Sequence, residues 1–159
     1  MKKDAQGFPL IELLIVVAII LIIAANAIPN LLKSKIAANQ ASAVQSLRTI
    51  NTSEAAYSTT YTTGFSPDLV SLGPPASGNG TAASAGLIDS VLASGVKGGY
   101  SFTYAATSDG SGHYNTYTIT ASPTTAGTTG TNYYFTDHTS VIRQNSTQTA
   151  AATDSPIGG

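Results

Sequence analysis

The sequence predicts an α+β protein in which one long N-terminal helix packs on a small antiparallel β-sheet head. Three observations favour this fold. Much of the strongly apolar content lies in the first 32 residues, and apolar residues then recur at helical spacing as far as Tyr61. Beyond it, short alternating aromatic and β-branched runs are separated by Gly-, Ser- and Asp-rich turns. We expect residues 1–7 to precede the helix, residues 8–62 to form it and residues 63–159 to form the head.

The composition excludes several functional classes. Lys and Arg number 7 against 8 Asp and Glu, without a basic run, which argues against a dedicated nucleic-acid surface. The absence of cysteine excludes disulfide scaffolds, Cys-ligated zinc, iron–sulfur clusters and thiol catalysis. Charged residues make up 9% of the chain, and 18 Ser and 22 Thr supply the polarity instead. The chain is therefore not an ordinary cytosolic globule.

The first apolar segment is long enough to cross a membrane. From Phe8 to Ala25 the only charged residue is Glu12. Eighteen helical residues span about 27 Å, close to the ~30 Å hydrocarbon core of a bilayer. Extension to Leu32 makes the span comfortable, so we expect residues 8–32 to be the transmembrane segment. A plain signal-anchor helix is one alternative.

A cleavable signal peptide is the other alternative. Lys2 and Lys3 would be its basic region, Leu13–Ala24 its apolar region, and signal peptidase would cut after Ala27. The secreted protein would then be an enzyme or a binding module. Glu12 argues against this reading, because it stands between the basic start and the apolar run. The apolar residues also continue past the expected cut.

Glu12 requires a positively charged partner. An acid at the centre of a membrane helix costs ~2.5–3.5 kcal/mol, so a functional role is expected. No Lys, Arg or His lies between Asp4 and Asn30. The partner is therefore another chain or a new amino terminus. A cut after Gly7 would place such a terminus, at Phe8, four residues before Glu12.

The run Gly7-Phe8-Pro9-Leu10-Ile11-Glu12, followed by apolar residues 13–20, resembles the prepilin signature of type IV pilins and their relatives. The resemblance is firm to about Tyr61 and looser to Arg143. Three positions depart from the usual pattern, and two of them, Leu21 and Asn26, affect the expected packing of subunits. The three departures are Pro9 in place of a common threonine, Leu21 in place of a frequent glycine, and Asn26, which adds an amide to the apolar segment.

The resemblance implies a processing and assembly pathway. A prepilin peptidase would cut between Gly7 and Phe8 at the cytoplasmic face and methylate the Phe8 amine. Glu12 would pair with the Phe8 amine of a neighbouring subunit, and Pro29 would kink the helix. The chain would be a single-pass inner-membrane protein before an inner-membrane platform and an assembly ATPase add it to a homopolymeric pilus at the cell surface.

The same resemblance implies a structural protein, without enzyme activity or a cofactor. A type II secretion pseudopilin and a minor pilin are the alternatives within the family. Major pseudopilins often carry an acidic calcium loop in the head. Asp137 and Asp154 are isolated in this sequence, which favours a pilus subunit.

The second half of the predicted helix has one apolar face and is expected to end near Gly64. Glu54 interrupts that face. We expect its carboxylate either to pair with Asn51 or Arg48, or to be exposed to solvent. The apolar face comprises Leu32, Ile36, Ala43, Leu47, Ile50, Tyr57 and Tyr61.

The head is predicted to contain two helical turns and four strands. The residues after Asn145 offer almost nothing apolar, so a mobile tail is expected and truncation after Arg143 should be tolerated. The helical turns are predicted over Leu87–Leu92, and the strands over Tyr100–Ala105, Tyr114–Ala121, Tyr133–Phe135 and Val141–Arg143.

Four residues in loops of the head are candidate metal ligands. Asp109, His113, Asp137 and His138 would form a metal site only if their loops converged. The alternative is that these are turn residues, because Asp side chains favour turns by local hydrogen bonding. No serine has an obvious base and acid partner for nucleophilic catalysis.

Overall fold

The computed structural model describes residues 9–157 of the chain. Within that part a helix of 51 residues is followed by two one-turn helices and a five-stranded antiparallel sheet, which confirms the predicted α+β class. The elements are α1 (Leu10–Thr60), α2 (Leu69–Leu72), α3 (Ser90–Ala93), β1 (Val96–Lys97), β2 (Tyr100–Ser108), β3 (Tyr114–Pro123), β4 (Tyr133–Asp137) and β5 (Arg143–Asn145).

The sheet is a meander whose strands pair in chain order, and every neighbouring pair is antiparallel. β2 and β3 form the longest pair, with a register shift near the end of β2. The alternation predicted for these strands is confirmed, because Tyr100, Phe102, Tyr117 and Ile119 are all buried. Their shared face therefore forms one wall of the core.

The chain divides into two compact units, Met1–Lys35 and Ile36–Gly159, and the boundary falls within α1. The second unit contains a hydrophobic core to which α1, α2, α3 and the sheet all contribute. Leu47 and Ile50 of α1 are completely buried in it. Because each fully buried large apolar side chain stabilises a fold by ~1.5–3 kcal/mol, this core accounts for an ordered head without disulfides.

α1 ends at Thr60, and Gly64 allows the following loop to lie against β3. The N–H of Phe65 donates to the Tyr114 carbonyl, and the N–H of Tyr114 donates to the Thr63 carbonyl, both at 2.9 Å. Gly64 has a φ of 81°, and a side chain there would collide with the Tyr114 carbonyl. Glycine is thus required by a close backbone approach as well as by the turn.

The helical turns predicted over Leu87–Leu92 are only partly present, because α3 begins at Ser90. Asp89 caps α3, since its carboxylate accepts the N–H of Leu92 at 2.9 Å. The N–H groups of Leu87 and Ile88 instead donate to the Leu72 carbonyl, at 2.8 and 3.1 Å. An N-cap marks the start of a helix, so Leu87 and Ile88 lie before α3 and outside it.

The strand predicted over Val141–Arg143 is displaced toward the C-terminus and forms β5. Ser140 has a left-handed φ of 62°, and its N–H donates to the Asp137 carbonyl at 2.8 Å. This turn lengthens the connection after β4. Strand pairing resumes only at Arg143, which lies opposite Phe135.

Polar side chains on the buried face of α1 bind loops and strands of the same unit. Asn51 Nδ2 donates to Thr136 Oγ1 at 3.0 Å, and the Tyr117 hydroxyl donates to Asn51 Oδ1 at 3.1 Å. Three further side chains of α1 donate to backbone carbonyls. Asn39 donates to the carbonyl of Thr129, Ser53 to that of Leu87 and Tyr57 to that of Ala82.

The segment after β5 differs from the expected mobile tail, because hydrogen bonds hold it against that strand. Arg143 Nη1 donates to the Asp154 carbonyl at 2.8 Å, and Asn145 Nδ2 donates to the Asp154 carboxylate at 2.9 Å. The N–H of Ile157 donates to the Ile142 carbonyl at 2.9 Å. These bonds need no apolar residues, so hydrophobic patterning gives no sign of them.

We expect a chain that ends at Asn145 to be less stable than one that ends at Ile157. The shorter chain loses the hydrogen bonds to Asp154 and the buried Ala150, which is 3% exposed. Each net hydrogen bond contributes about 1 kcal/mol. Urea unfolding monitored by circular dichroism measures the difference. Equal midpoints would show that the tail does not support the head.

Candidate functional site

The start of α1 adjoins the residues that the sequence motif assigns to processing. The Pro9 carbonyl accepts the N–H groups of Glu12 and Leu13, at 3.0 and 3.3 Å. Proline suits this position, because no helical hydrogen bond requires its missing N–H. Gly7 and Phe8 lie outside the described residues, so cleavage and methylation there stay predictions.

The first part of α1 presents an apolar surface on all sides. Its large apolar side chains from Leu10 to Leu32 are between 43% and 79% exposed. These residues span about 35 Å at the α-helical rise, and α1 is long and apolar enough to cross a membrane. Such a large exposed apolar surface is typical of contact with lipid or with other proteins. It fits membrane anchoring.

Glu12 is an exposed acid in the first turn of this helix. The positive end of the helix dipole favours a carboxylate at that position. Among residues 9–157 its carboxylate has neither a hydrogen-bond partner nor an ion-pair partner. The next cationic side chain along α1 is Lys33, about 31 Å away at the helical rise. Compensation of the Glu12 charge therefore has to come from outside this part of the chain.

Pro29 lies inside α1, and the helix continues on both sides of it. Because proline has no N–H, the carbonyl of Ala25 lacks its usual helical partner. Nearby, Asn26 Nδ2 donates to the Ile22 carbonyl at 3.1 Å. The kink at Pro29 stays a prediction.

The acids considered for a metal site serve turns in the structure. Asp109 Oδ1 accepts the N–H groups of Ser111 and His113, at 2.8 and 3.3 Å, between β2 and β3. Asp137 Oδ1 accepts the N–H of Thr139 at 2.9 Å after β4. Over residues 9–157, His, Asp and Glu side chains form no group of three that would hold a metal ion. Both carboxylates therefore have a local structural role.

Glu54, the other glutamate of the chain, is fully buried, and neither of its two expected environments is found. Its Oε2 accepts the N–H of Ser66 at 2.9 Å, and its Oε1 accepts the hydroxyls of Ser66 and Tyr104, at 2.5 and 2.7 Å. Arg48 is exposed, and Asn51 forms hydrogen bonds with other side chains. Glu54 thus joins α1 to the following loop and to β2.

Burial raises the pKa of Glu54 above its ordinary value of 4.5, and hydrogen bonds from Ser66 and Tyr104 only partly oppose the shift. Each hydroxyl has a second acceptor nearby. Ser66 Oγ lies 3.0 Å from the Asp68 carbonyl, and the Tyr104 hydroxyl lies 2.8 Å from the Ser66 carbonyl. A protonated Glu54 can therefore donate to Ser66 Oγ while both hydroxyls turn to those carbonyls. The buried cluster is satisfied in either protonation state.

Comparison with known proteins identifies the sequence motif at the N-terminus. The long apolar helix followed by an antiparallel sheet is a pilin-like α+β architecture. Residues 2–25 match the family model of the prokaryotic N-terminal methylation motif, which is the hallmark of type IV prepilin-like proteins. Curated proteins gave no match, and neither did solved structures.

The motif supports a pilin-like or pseudopilin-like precursor with a structural role. It implies processing by a prepilin peptidase and assembly into pili or pseudopili.

We expect Glu54→Gln to remove one component of the head's pH dependence. Since the folded pKa of Glu54 is raised, its protonation stabilises the head fully below its unfolded pKa. That stabilisation is lost as the pH rises through the folded value. The substituted glutamine side chain retains a donor and an acceptor at every pH. The stability difference between glutamine variant and parent should therefore grow from about pH 4 to about pH 7 in urea unfolding.

Glu54→Ala is the matched control for this measurement. It leaves the Ser66 N–H without its carboxylate acceptor, which should cost about 1–3 kcal/mol at both ends of the pH range. A difference between parent and glutamine variant that is constant with pH would show that Glu54 does not titrate in this range.

Proposed function

We propose that the chain is the precursor of a type IV pilus subunit and that α1 is its polymerisation element. A prepilin peptidase removes residues 1–7 by cutting between Gly7 and Phe8, and the new Phe8 amine is methylated. Residues 8–32 hold the subunit in the inner membrane. An inner-membrane platform and an assembly ATPase then add it to a homopolymeric fibre at the cell surface. The role requires no cofactor.

The observation that carries this proposal is the exposed Glu12, which lacks a partner within residues 9–157 at the start of an apolar helix. A charge left uncompensated in a low-dielectric contact costs several kcal/mol. Cleavage before Phe8 creates an amine one helical turn before Glu12. In a fibre, a neighbour displaced by about one turn provides a second amine. Pairing between subunits then compensates the carboxylate and the amine together.

Two carboxylates in the head favour a pilus subunit over a type II secretion pseudopilin. Asp137 binds the turn at Thr139, and Asp154 accepts hydrogen bonds from Asn145 and Ala151. Both carboxylates are thus used in local hydrogen bonds, and they do not form an acidic loop of the kind that major pseudopilins often carry. Immunogold imaging and fractionation of cells distinguish the roles. Surface filaments built mainly of this chain indicate a pilus subunit. Traces of the chain within such filaments indicate a minor pilin. A secretion defect on deletion of the chain, without surface filaments, indicates a pseudopilin.

The mature chain is expected to begin at a methylated Phe8 and to contain 152 of the 159 residues. Gly7→Leu should leave the uncut precursor in the inner membrane, because it places a bulky residue directly before the proposed cut. Mass spectrometry of the purified chain and of the variant measures both outcomes. A mature chain that begins at Ile28 would instead support cleavage by signal peptidase after Ala27.

Glu12→Gln and Glu12→Leu should both reduce filament yield sharply while processing and membrane level stay normal. Glutamine removes the charge, and leucine makes the segment more apolar, so neither change opposes membrane insertion. Shearing of surface filaments, followed by immunoblotting of the filament and membrane fractions, measures the effect.

Glu54→Gln provides the matched control for Glu12, because it changes the only other glutamate of the chain and that residue is buried in the second unit. It should leave filament yield unchanged. Normal filaments from Glu12→Leu would show that apolar packing alone sets the register of subunits, and the assembly role of Glu12 would be withdrawn.

A further inference from the structure

The polar side chains of α1 between Leu10 and Ser34 share one side of the helix, on which apolar side chains also lie between Glu12 and Asn26. At about 100° per residue, these polar side chains fall within about 100° of arc. Lys35, the last residue of the first unit, lies outside this arc. We call this side the polar ridge, and all of its residues are exposed. Apolar side chains occupy the rest of the circumference. The polar ridge consists of Glu12, Asn26, Asn30, Lys33 and Ser34.

Two amides on the polar ridge have unused hydrogen-bonding capacity. Asn26 Nδ2 donates to the Ile22 carbonyl, but within residues 9–157 nothing donates to its Oδ1. The Asn30 side chain makes no hydrogen bond with these residues. Ser34 Oγ, by contrast, donates to the Asn30 backbone carbonyl at 3.0 Å. Asn26 lies about 9 Å along the axis from Leu32, the end of the expected membrane segment. An amide at that depth is costly unless another polar group meets it.

We propose that Asn26 and Asn30 bind a second copy of this chain in the membrane, in parallel and at equal depth, before any fibre forms. The proposal rests on the proposed function only in taking residues 8–32 as the membrane segment. Copies inserted in one orientation carry the same amides at the same depth. An amide has both donor and acceptor groups, so two Asn26 side chains satisfy each other. A buried Asn pair likewise sets register in parallel coiled coils.

The charges of the polar ridge are compatible with this contact. Glu12 lies about 21 Å along the axis from Asn26. Membrane helices cross at about 20–40°, so a crossing centred on Asn26 displaces the two Glu12 positions sideways from each other by roughly 7–14 Å, at right angles to the line of closest approach. Lys33 follows the membrane segment, and its long side chain extends its ammonium group into water. The two copies therefore meet chiefly through the amides and the isoleucines beside them.

The chain contains no cysteine, so single cysteines report on the contact without interference. Ile23→Cys lies on the side of the polar ridge, two turns before Asn30, and Ile28→Cys lies on the opposite side. Both positions are similarly exposed, at 62% and 66%. The full-length chain is expressed with prepilin peptidase but without the assembly machinery, and its membranes are oxidised. Disulfide dimers are then quantified on non-reducing gels.

We expect dimers chiefly from Ile23→Cys. Adding Asn26→Leu should lower the dimer yield by about 3- to 30-fold, the equivalent of ~0.6–2 kcal/mol for one interhelical polar pair. Asn26→Gln, which keeps an amide, should retain most of the dimer. Ser34→Ala is the matched control on the same side of the helix, and it should have no effect because its hydroxyl already has a partner.

Equal cross-linking at positions 23 and 28 overturns the proposal, as does a dimer yield that Asn26→Leu leaves unchanged. Carbonate extraction and mass spectrometry of the same samples separate this result from a failure of the proposed function. An inserted chain that begins at Phe8 but gives no side-specific dimer contradicts the dimer alone. A chain that is released from the membrane contradicts both, whereas an inserted but uncut chain that gives the side-specific dimer contradicts only the processing step of the proposed function.

Discussion

The burial of one face of α1 is the interaction on which the head depends. Leu47 and Ile50 are completely buried, and the small helices and the sheet complete the same core. Without a disulfide, this hydrophobic contact is the main source of stability. The same helix is apolar on all sides nearer its N-terminus. One continuous segment thus has two patterns, set by two different surroundings.

The polar groups on the buried face are as important as the apolar ones. Much of the head outside the sheet consists of irregular loops, whose backbone groups need partners wherever they are buried. Asn51, Ser53 and Tyr57 supply such partners, because they donate to the backbone carbonyls of Ser140, Leu87 and Ala82, respectively. Each bond contributes about 0.5–1.5 kcal/mol, and loss of a single partner costs more. The helix therefore stabilises segments that have little regular structure of their own.

The main elements were predictable from the sequence because their signals are local. The aromatic alternation of β2 and β3, and the apolar face of α1, follow from periods of two and of three to four residues. The motif around Glu12 is contiguous, and its match to residues 2–25 agrees with the resemblance inferred from it. Side-chain burial follows these patterns wherever the residue itself is apolar.

Features that depend on distant residues were not predictable. Glu54 lies at the right spacing for the buried face, between Ile50 and Tyr57. Burial of its carboxylate, however, depends on hydrogen-bond donors 12 and 50 residues away, which are Ser66 and Tyr104. The segment after β5 is held by backbone and side-chain hydrogen bonds that leave no apolar pattern. A local pattern cannot report either kind of contact.

The outer strands of the sheet determine where one head can pair with another at high local concentration. β1 has only two residues, and the backbone of β5 is bridged to Pro156 in the segment that follows it. Long, flat and open strand edges invite pairing between molecules, and natural proteins shorten or cover them to prevent it. The edge that stays open among the described residues lies along β2 beyond Ser101, where β1 no longer pairs with it, so heads brought together at high local density can extend a sheet along β2.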